Sequence, residues 1–346
     1  MPEKYSDLLT CAKCGIDGNK KCSKCFSVSY CSRQCQVADW PRHKGLCLPV
    51  MVRDLGDRDR GLVASRNFKA GDLIFEENAI VKDVSDNLQL FSKNISLYGK
   101  RIVAQLSKLS ESTQEDVLNL TRNQKVMDDE SVIPEECREA FAIYVNNSIA
   151  GNLFLNLSLI NHSCVPNTMW WMKSEQSQQE IQELRAIREI KEGEELTASY
   201  LDTSTSFLKD KQEKRNELFR GWNFLCECPS CVKPEDQSHT NLRGKLQDLF
   251  EKRDLLMSKD PPRRRIQNKI TLLTDQIVDG IIKLDEPSIF LNSWLQFRML
   301  CLCGHETGRS DMFEKGMKLF KECVETGNFT EALNSFKKWK ESLNFK

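Results

Sequence analysis

The sequence has no excess of either charge: Lys+Arg and Asp+Glu number 50 each among 346 residues. That balance presents no global field for nucleic acid or for an anionic membrane surface. The one short basic run, Arg263–Arg265 behind Pro261 and Pro262, reads as a solvated helix start. No apolar run approaches the roughly 18 residues that mark a membrane span, so no membrane partner is expected. The opening M-P-E-K-Y-S-D lacks the apolar core of a signal peptide, and an intracellular chain, in cytoplasm or nucleus, is expected. With 40% hydrophobic and 29% charged residues, the rest is an ordinary globular composition, long enough for two or three domains. Cysteine is the departure. Fifteen of them in a reducing compartment point to metal rather than disulfides.

Eight of the metal-type residues fall between positions 11 and 47, in the spacing C-x2-C-x7-C-x2-C-x5-C-x3-C-x7-H-x3-C. Closely spaced Cys pairs deliver two thiolates from one turn, and the x3 spacings put Cys31/Cys35 and His43/Cys47 on single helical faces. Four pairs suit an interleaved arrangement. Cys11, Cys14, Cys31 and Cys35 are assigned to one ion, and Cys22, Cys25, His43 and Cys47 to a second. Both sets are complete tetrahedra with no open position, so structural rather than catalytic zinc is expected. A segment this short cannot build a sufficient core, and metal binding would supply its folding free energy.

The centre of the chain is the stretch L-S-L-I-N-H-S-C-V-P-N at 157–167, an apolar run that stops on Asn161, His162, Ser163 and Cys164. Such a stop delivers side chains to a site. Farther on, Cys226, Cys228 and Cys231 supply three thiolates, one short of a closed site, and Cys164 is the natural fourth ligand. Before this stretch, 52–81 alternates apolar and polar residues around turn signals at 56–61 and 69–72, which predicts short strands in a meander. Arg58, Arg60 and Gly61 sit where a backbone could approach a ligand, Gly61 having no Cβ to obstruct it. Residues 86–145 change to helical spacing and predict an insertion ending in a helix over 135–145, followed by Asn146 and Asn147. Strands are predicted at 170–172 and 183–187, and the 196–200 alternation places Tyr200 opposite Thr197 and Ser199. Helical residues 204–220 are expected to end near Gly221.

These motifs carry two resemblances. The finger, with Y-C-S-R-Q-C at 30–35 and D-W-P-R-H at 39–43, resembles the MYND zinc finger. N-H-S-C-x-P-N at 161–167, G-E-E-L-x-x-x-Y at 193–200 and C-x-C-x2-C at 226–231 resemble a SET domain with its post-SET zinc cluster. Together they resemble the SET-and-MYND (SMYD) protein-lysine methyltransferases over roughly residues 11–235. The implied fold class is α+β: a MYND finger at 11–47, and a β-rich SET domain at 51–202 with its helical insertion at about 86–145. A post-SET zinc segment at 203–235 and a helical C-terminal domain at 239–346 complete it.

The resemblance implies S-adenosylmethionine as cosubstrate and three structural zinc ions. Asn161 and His162 would hold the cofactor, Asn147 its amino-acid end, and Phe224 its adenine, with Arg58 and Gly61 in the first cofactor turn. Tyr200 falls at the catalytic-pocket tyrosine, which also borders the cofactor. The implied partners are a protein lysine substrate and proline-containing peptides at the finger, where Gln34 and Trp40 are candidate contacts. A monomer is expected. The sequence departs from the family pattern at Asp59 in the first turn, at Trp222 where a second pocket tyrosine is often found, and in the short span from Asn147 to Asn161. The finger also precedes the first SET strands instead of interrupting them. Those departures keep open an alternative: a catalytically weak SET scaffold whose finger recruits partners.

The remaining chain is helical by pattern from His239 onward. A fragment at 327–334, G-N-F-T-E-A-L-N, resembles part of a tetratricopeptide helix pair. Cys301, Cys303 and His305 lack an evident fourth ligand and read as buried or free side chains.

Overall fold

The computed structural model describes residues 10–257, apart from 26–27, 45–46, 57–59, 83–94, 129–132, 173–179, 202–205 and 235, together with parts of 269–284. The chain divides into two compact units. One comprises Met1–Asn161 with Trp170–Thr197, the other His162–Met169 with Ala198–Lys346.

The first unit begins with the finger. A two-stranded hairpin, β1 (Lys20–Lys21) and β2 (Ser29–Tyr30), leads into helix α1 (Arg33–His43). Ser32 caps that helix, its hydroxyl accepting from the Cys35 N–H at 3.2 Å. Tyr30, 1% exposed, donates its hydroxyl to Asp39 at 2.9 Å, and Arg42 grips the same carboxylate with two bonds of 2.8 and 2.7 Å. Polar contacts tie the finger to the rest of this unit. The Ser65 hydroxyl donates to the Cys25 carbonyl, and Lys21 pairs with Glu192 at 3.1 Å.

β3 (Val50–Asp54) and β4 (Arg60–Ala64) pair antiparallel from Val50↔Ala64 to Asp54↔Arg60. The expected meander stops there. β5 (Leu73–Asn78) instead pairs antiparallel with β8 (Ile181–Ala186), in a sheet ordered β5-β8-β7 with β7 at Thr168–Met172; the two-residue β6 (Asn161–His162) is not part of this sheet. The cause is the connection between β4 and β5. Phe68, 1% exposed, exchanges backbone bonds of 2.8 and 3.0 Å with Ile190, and the Gly71 N–H donates to Ala186. The turn is thereby carried onto the later strand segment.

The helical insertion comprises α2 (Ile95–Leu106), α3 (Glu111–Leu118), α4 (Gln124–Asp128) and α5 (Glu135–Asn147). Cys137, Phe141 and Tyr144 recur at helical spacing on α5 and bury with Tyr98, Ile102, Val117 and Leu120. Gly99 lets α2 approach α5, since a Cβ there would meet the Cys137 sulfur at 2.5 Å. The short span after α5 has its own solution. Ala150 (φ 50°) and Gly151 (φ 78°) form a tight turn closed by reciprocal Ile149–Asn152 bonds of 2.8 and 3.0 Å. Leu153, fully buried, then bonds to Ile80 and Val81.

In the second unit, a 3-10 turn (Ser206–Leu208) precedes α6 (Lys211–Trp222), which opens with a reciprocal Asp210–Glu213 capping box. The helix ends at Trp222, next to the predicted Gly221, and Asn223 (φ 59°) takes the left-handed position beyond it. α7 (Gln237–Met257) buries Leu246, and Ile270, Ile277 and Leu284, seven apart, are also buried. Leu246 fits closely beside Gly280, where a Cβ would meet it at 2.5 Å. This agrees with the helical pattern read from the sequence. The 301–305 and 327–334 motifs lie outside the described residues. No described helix is long and apolar enough to cross a membrane.

Candidate functional site

Among the described residues, twelve cysteine and histidine side chains gather into three groups of four. They are Cys11, Cys14, Cys31, Cys35; Cys22, Cys25, His43, Cys47; and Cys164, Cys226, Cys228, Cys231, with the ligand atoms of each group within 4.8 Å of one another. Four sulfurs at the usual Zn–S length of about 2.3 Å stand about 3.8 Å apart on a tetrahedron. Cys14–Cys31 is 3.6 Å, Cys14–Cys35 3.8 Å, Cys22–Cys47 3.8 Å, Cys164–Cys231 3.6 Å and Cys164–Cys226 4.0 Å. The donor sets and their spacing fit zinc.

The protons of these groups point the same way. Hydrogen bonds from Cys164, then Cys228 and Cys231, hold the Cys226 thiol far below its ordinary range, and contact with Cys226 pushes Cys164 up. In the finger, Cys22 is drawn to about 6 although burial opposes it, because the backbone N–H groups of Cys25 and Lys24 face its sulfur. One thiolate in such a group is stabilised by its neighbours' protons. A divalent cation replaces those protons and lets every sulfur ionise.

In the second unit, Cys164 connects the third metal group to an aromatic cluster. His162 Nε2 lies 3.3 Å from the Cys164 sulfur, and His162 Nδ1 accepts the Tyr200 backbone N–H at 3.0 Å. Both imidazole nitrogens are therefore engaged, and the His162 backbone is what it offers elsewhere. Tyr200 has the Trp222 ring 5.2 Å away and Phe224 at 6.3 Å, edge-on; His162 lies 6.0 Å from Phe224. The left-handed Asn223 permits this grouping, since it turns the chain between Trp222 and Phe224 before Cys226 reaches the metal group. Sequence reading did not anticipate that role. An asparagine just past a helix was the available signal.

In the first unit, the Asn161 amide donates to Glu195 at 3.0 Å and lies 3.4 Å from the Arg60 carbonyl. A Cβ on Gly61 would collide with Leu55 and meet Asn161 Nδ2 at 2.9 Å. Gly61 thus makes room for neighbouring side chains. Asn147, 9% exposed, spends both amide hydrogens on the Thr121 and Ile143 carbonyls at 2.7 Å each, which leaves Oδ1 as its outward-acting atom. Arg60 reaches the Asn119 carbonyl beside that same 119–121 segment. Arg58, expected in the first cofactor turn, lies outside the described residues, as does Asp59. Glu195 was hidden in the G-E-E-L motif, with nothing local to separate it from a solvated turn acid.

Two known families share these features. The SET domain family model matches residues 59–201, and the MYND finger model matches 11–47. In pairing a SET domain with a MYND finger, the chain is similar to the SET and MYND domain-containing (SMYD) proteins. Its fold is a SET domain joined to an N-terminal MYND zinc finger and a later cysteine cluster. "Histone-lysine N-methyltransferase SMYD3" of Mus musculus is 28% identical over 270 residues, covering 70% of this chain and 55% of that protein. "N-lysine methyltransferase SMYD2" of Sus scrofa is 27% identical over 246 residues, 67% of this chain and 52% of its own. The chain therefore spans about half the length of the curated SMYD relatives it matches. The finger alone is 56% identical over 39 residues to the "Zinc finger MYND domain-containing protein 10 homolog" of Drosophila melanogaster, 11% of this chain and 9% of that one.

Proposed function

We propose that this chain is an S-adenosylmethionine-dependent protein-lysine N-methyltransferase with three structural zinc ions. The observation that carries the reading is Tyr200: a tyrosine at the SET motif position, its backbone fixed by His162 and its ring flanked by Trp222 and Phe224. The cofactor would supply a methyl group on a cationic sulfonium. By motif, Asn147 and the Asn161–His162 backbone would hold its amino-acid end and Phe224 its adenine; within the first unit, Gly61 leaves room for the Asn161 amide. Arg58 belongs to the same proposal by motif.

In-line methyl transfer asks mainly for positioning. The lysine amine must arrive neutral although its reference pKa is about 10.4, and a partly desolvated aromatic channel favours loss of its proton. Tyr200 would orient the amine through its hydroxyl without acting as a strong base. Trp222 carries no hydroxyl, so that orientation falls to Tyr200. Incubating the zinc-loaded chain with methyl-labelled S-adenosylmethionine and protein substrates, core histones and a cell extract, tests the proposal. Label on lysine that is lost in Tyr200→Phe supports it; a folded chain that labels nothing contradicts it.

A scaffold reading draws on the finger. Gln34, Val37 and Trp40 lie on the exposed surface of α1, with Trp40 42% and Val37 64% exposed. We assign this surface to proline-containing peptides in either reading. Titrating such a peptide while following Trp40 fluorescence tests it, with Trp40→Ala as the control. A cytoplasmic or nuclear monomer is part of the same proposal.

A further inference from the structure

We propose that Glu77 is a positioning residue for the cofactor segment: its carboxylate holds the 155–157 backbone and thereby sets the separation of Asn147 and Asn161. This rests on the reading of those two asparagines given above. Glu77 stands on β5, and its carboxylate collects donors from a segment 78 to 80 residues away. Oε1 accepts from the Leu155 N–H at 3.1 Å, the Asn156 N–H at 2.9 Å and the Asn156 amide at 2.9 Å. Oε2 accepts from the Leu157 N–H at 2.9 Å and shares the Asn156 N–H at 3.1 Å.

These donors open the 3-10 turn Leu157–Leu159, whose N-cap residue, Asn156, makes no side-chain cap bond of its own. Glu77 therefore caps this turn from a distant strand. Two links lead onward from it. The Ser158 hydroxyl donates to the Asn147 carbonyl at 3.2 Å and also reaches Phe154. In the other direction, Ile160 closes the turn by donating to Leu157 at 3.2 Å, and Asn161 follows at once. Leu157 and Ile160 are each 1% exposed, so the turn cannot slide without disturbing the core. A single carboxylate thus governs the piece of chain between the two asparagines.

An ionised carboxylate suits this place because it only accepts. Glutamine would turn an N–H toward the Leu157 or Asn156 N–H, and aspartate would fall one methylene short. Burial pushes the Glu77 carboxyl above its ordinary range while the donors from Asn156 and Leu157 oppose the rise. Five contacts from four donors on one carboxylate fit a geometric role.

The test compares the full zinc-loaded chain with Glu77→Gln and Glu77→Asp. It reads S-adenosylmethionine affinity by calorimetry, amide hydrogen exchange over 155–162, and the KM and kcat of methyl transfer. Glu77→Gln is expected to weaken cofactor affinity by about tenfold, the scale of lost outer-shell support. Exchange should quicken at 155–157, and KM for the cofactor should rise more than kcat falls. Glu77→Asp should not restore binding. If neither variant folds, Ser158→Ala, which cuts the link to Asn147 and spares the carboxylate, is expected to weaken binding with 155–157 still protected. A folded Glu77→Gln, or Ser158→Ala in its stead, that binds the cofactor like wild type overturns the inference alone. Wild type that binds no cofactor overturns the methyltransferase reading as well, so the two failures are distinguishable.

Discussion

Tyr200 donates its backbone N–H to Nδ1 of His162 at 3.0 Å, and the other nitrogen of that imidazole lies 3.3 Å from the sulfur of Cys164. An imidazole that accepts at Nδ1 is in the neutral form carrying its proton on Nε2, which it can then give to sulfur. His162 therefore joins a metal ligand to the backbone of the tyrosine assigned to catalysis. His162→Ala is expected to lower methyl transfer by about tenfold to a hundredfold and to weaken the third metal site. Turnover and zinc content, measured on the same preparation, check both effects.

The third group gives a count. Wild type should carry three zinc ions, one for each cluster of four ligands, and Cys164→Ser should carry two. Cys137→Ser is the control, because Cys137 packs between α2 and α5 and belongs to no cluster. Elemental analysis of the purified chains decides the matter. A strong chelator applied to wild type should unfold the finger, whose small core is built largely from its own cysteines.

Ala150 occupies left-handed backbone at φ 50°, a conformation that costs a side chain about 1–2 kcal/mol. Glycine relieves that strain but gives the unfolded chain more freedom, about 0.4–1 kcal/mol. Ala150→Gly should therefore raise stability by about 0.5–1 kcal/mol, visible as a higher melting temperature. Cofactor affinity should stay the same.

The Asp39 carboxyl is held below its ordinary range by Arg42, against the effect of burial and with help from Tyr30. A carboxyl whose folded pKa is depressed adds stability above its unfolded value of about 3.9, and that part is lost as pH falls through the folded value. Asp39→Asn should thus melt earlier than wild type at neutral pH, and the difference should narrow below about pH 4. Thiolate and imidazole ligands must be deprotonated to bind zinc, so acid should release the metal, and this is expected before the Asp39 contribution fades. Melting curves and chelator-detected zinc across pH test the order.

Much of the metal chemistry was legible in the sequence because Cys-x2-Cys spacing is local. Two ligands in one turn need no knowledge of the fold. Cys164 was reachable by counting, as three thiolates in 226–231 leave one position open. Long-range relations were not legible. Nothing near Glu77 announces donors 78 residues later, and alternation over 52–81 could not say that β5 would pair with β8. Gly61 was visible as a residue without a Cβ, but that Leu55 and Asn161 stand beside it was not. A glycine shows where close approach is needed, while the neighbour that approaches is decided by the fold.

The central claim is that the segment joining Asn147 to Asn161 holds S-adenosylmethionine. Calorimetric titration of the cofactor into zinc-loaded wild type and Asn161→Ala tests it most directly. Saturable binding by wild type, weakened at least about tenfold by the substitution in a protein that keeps its zinc and its fold, is the predicted result. A folded wild type that gives no binding heat, or a variant that binds equally well, would contradict it.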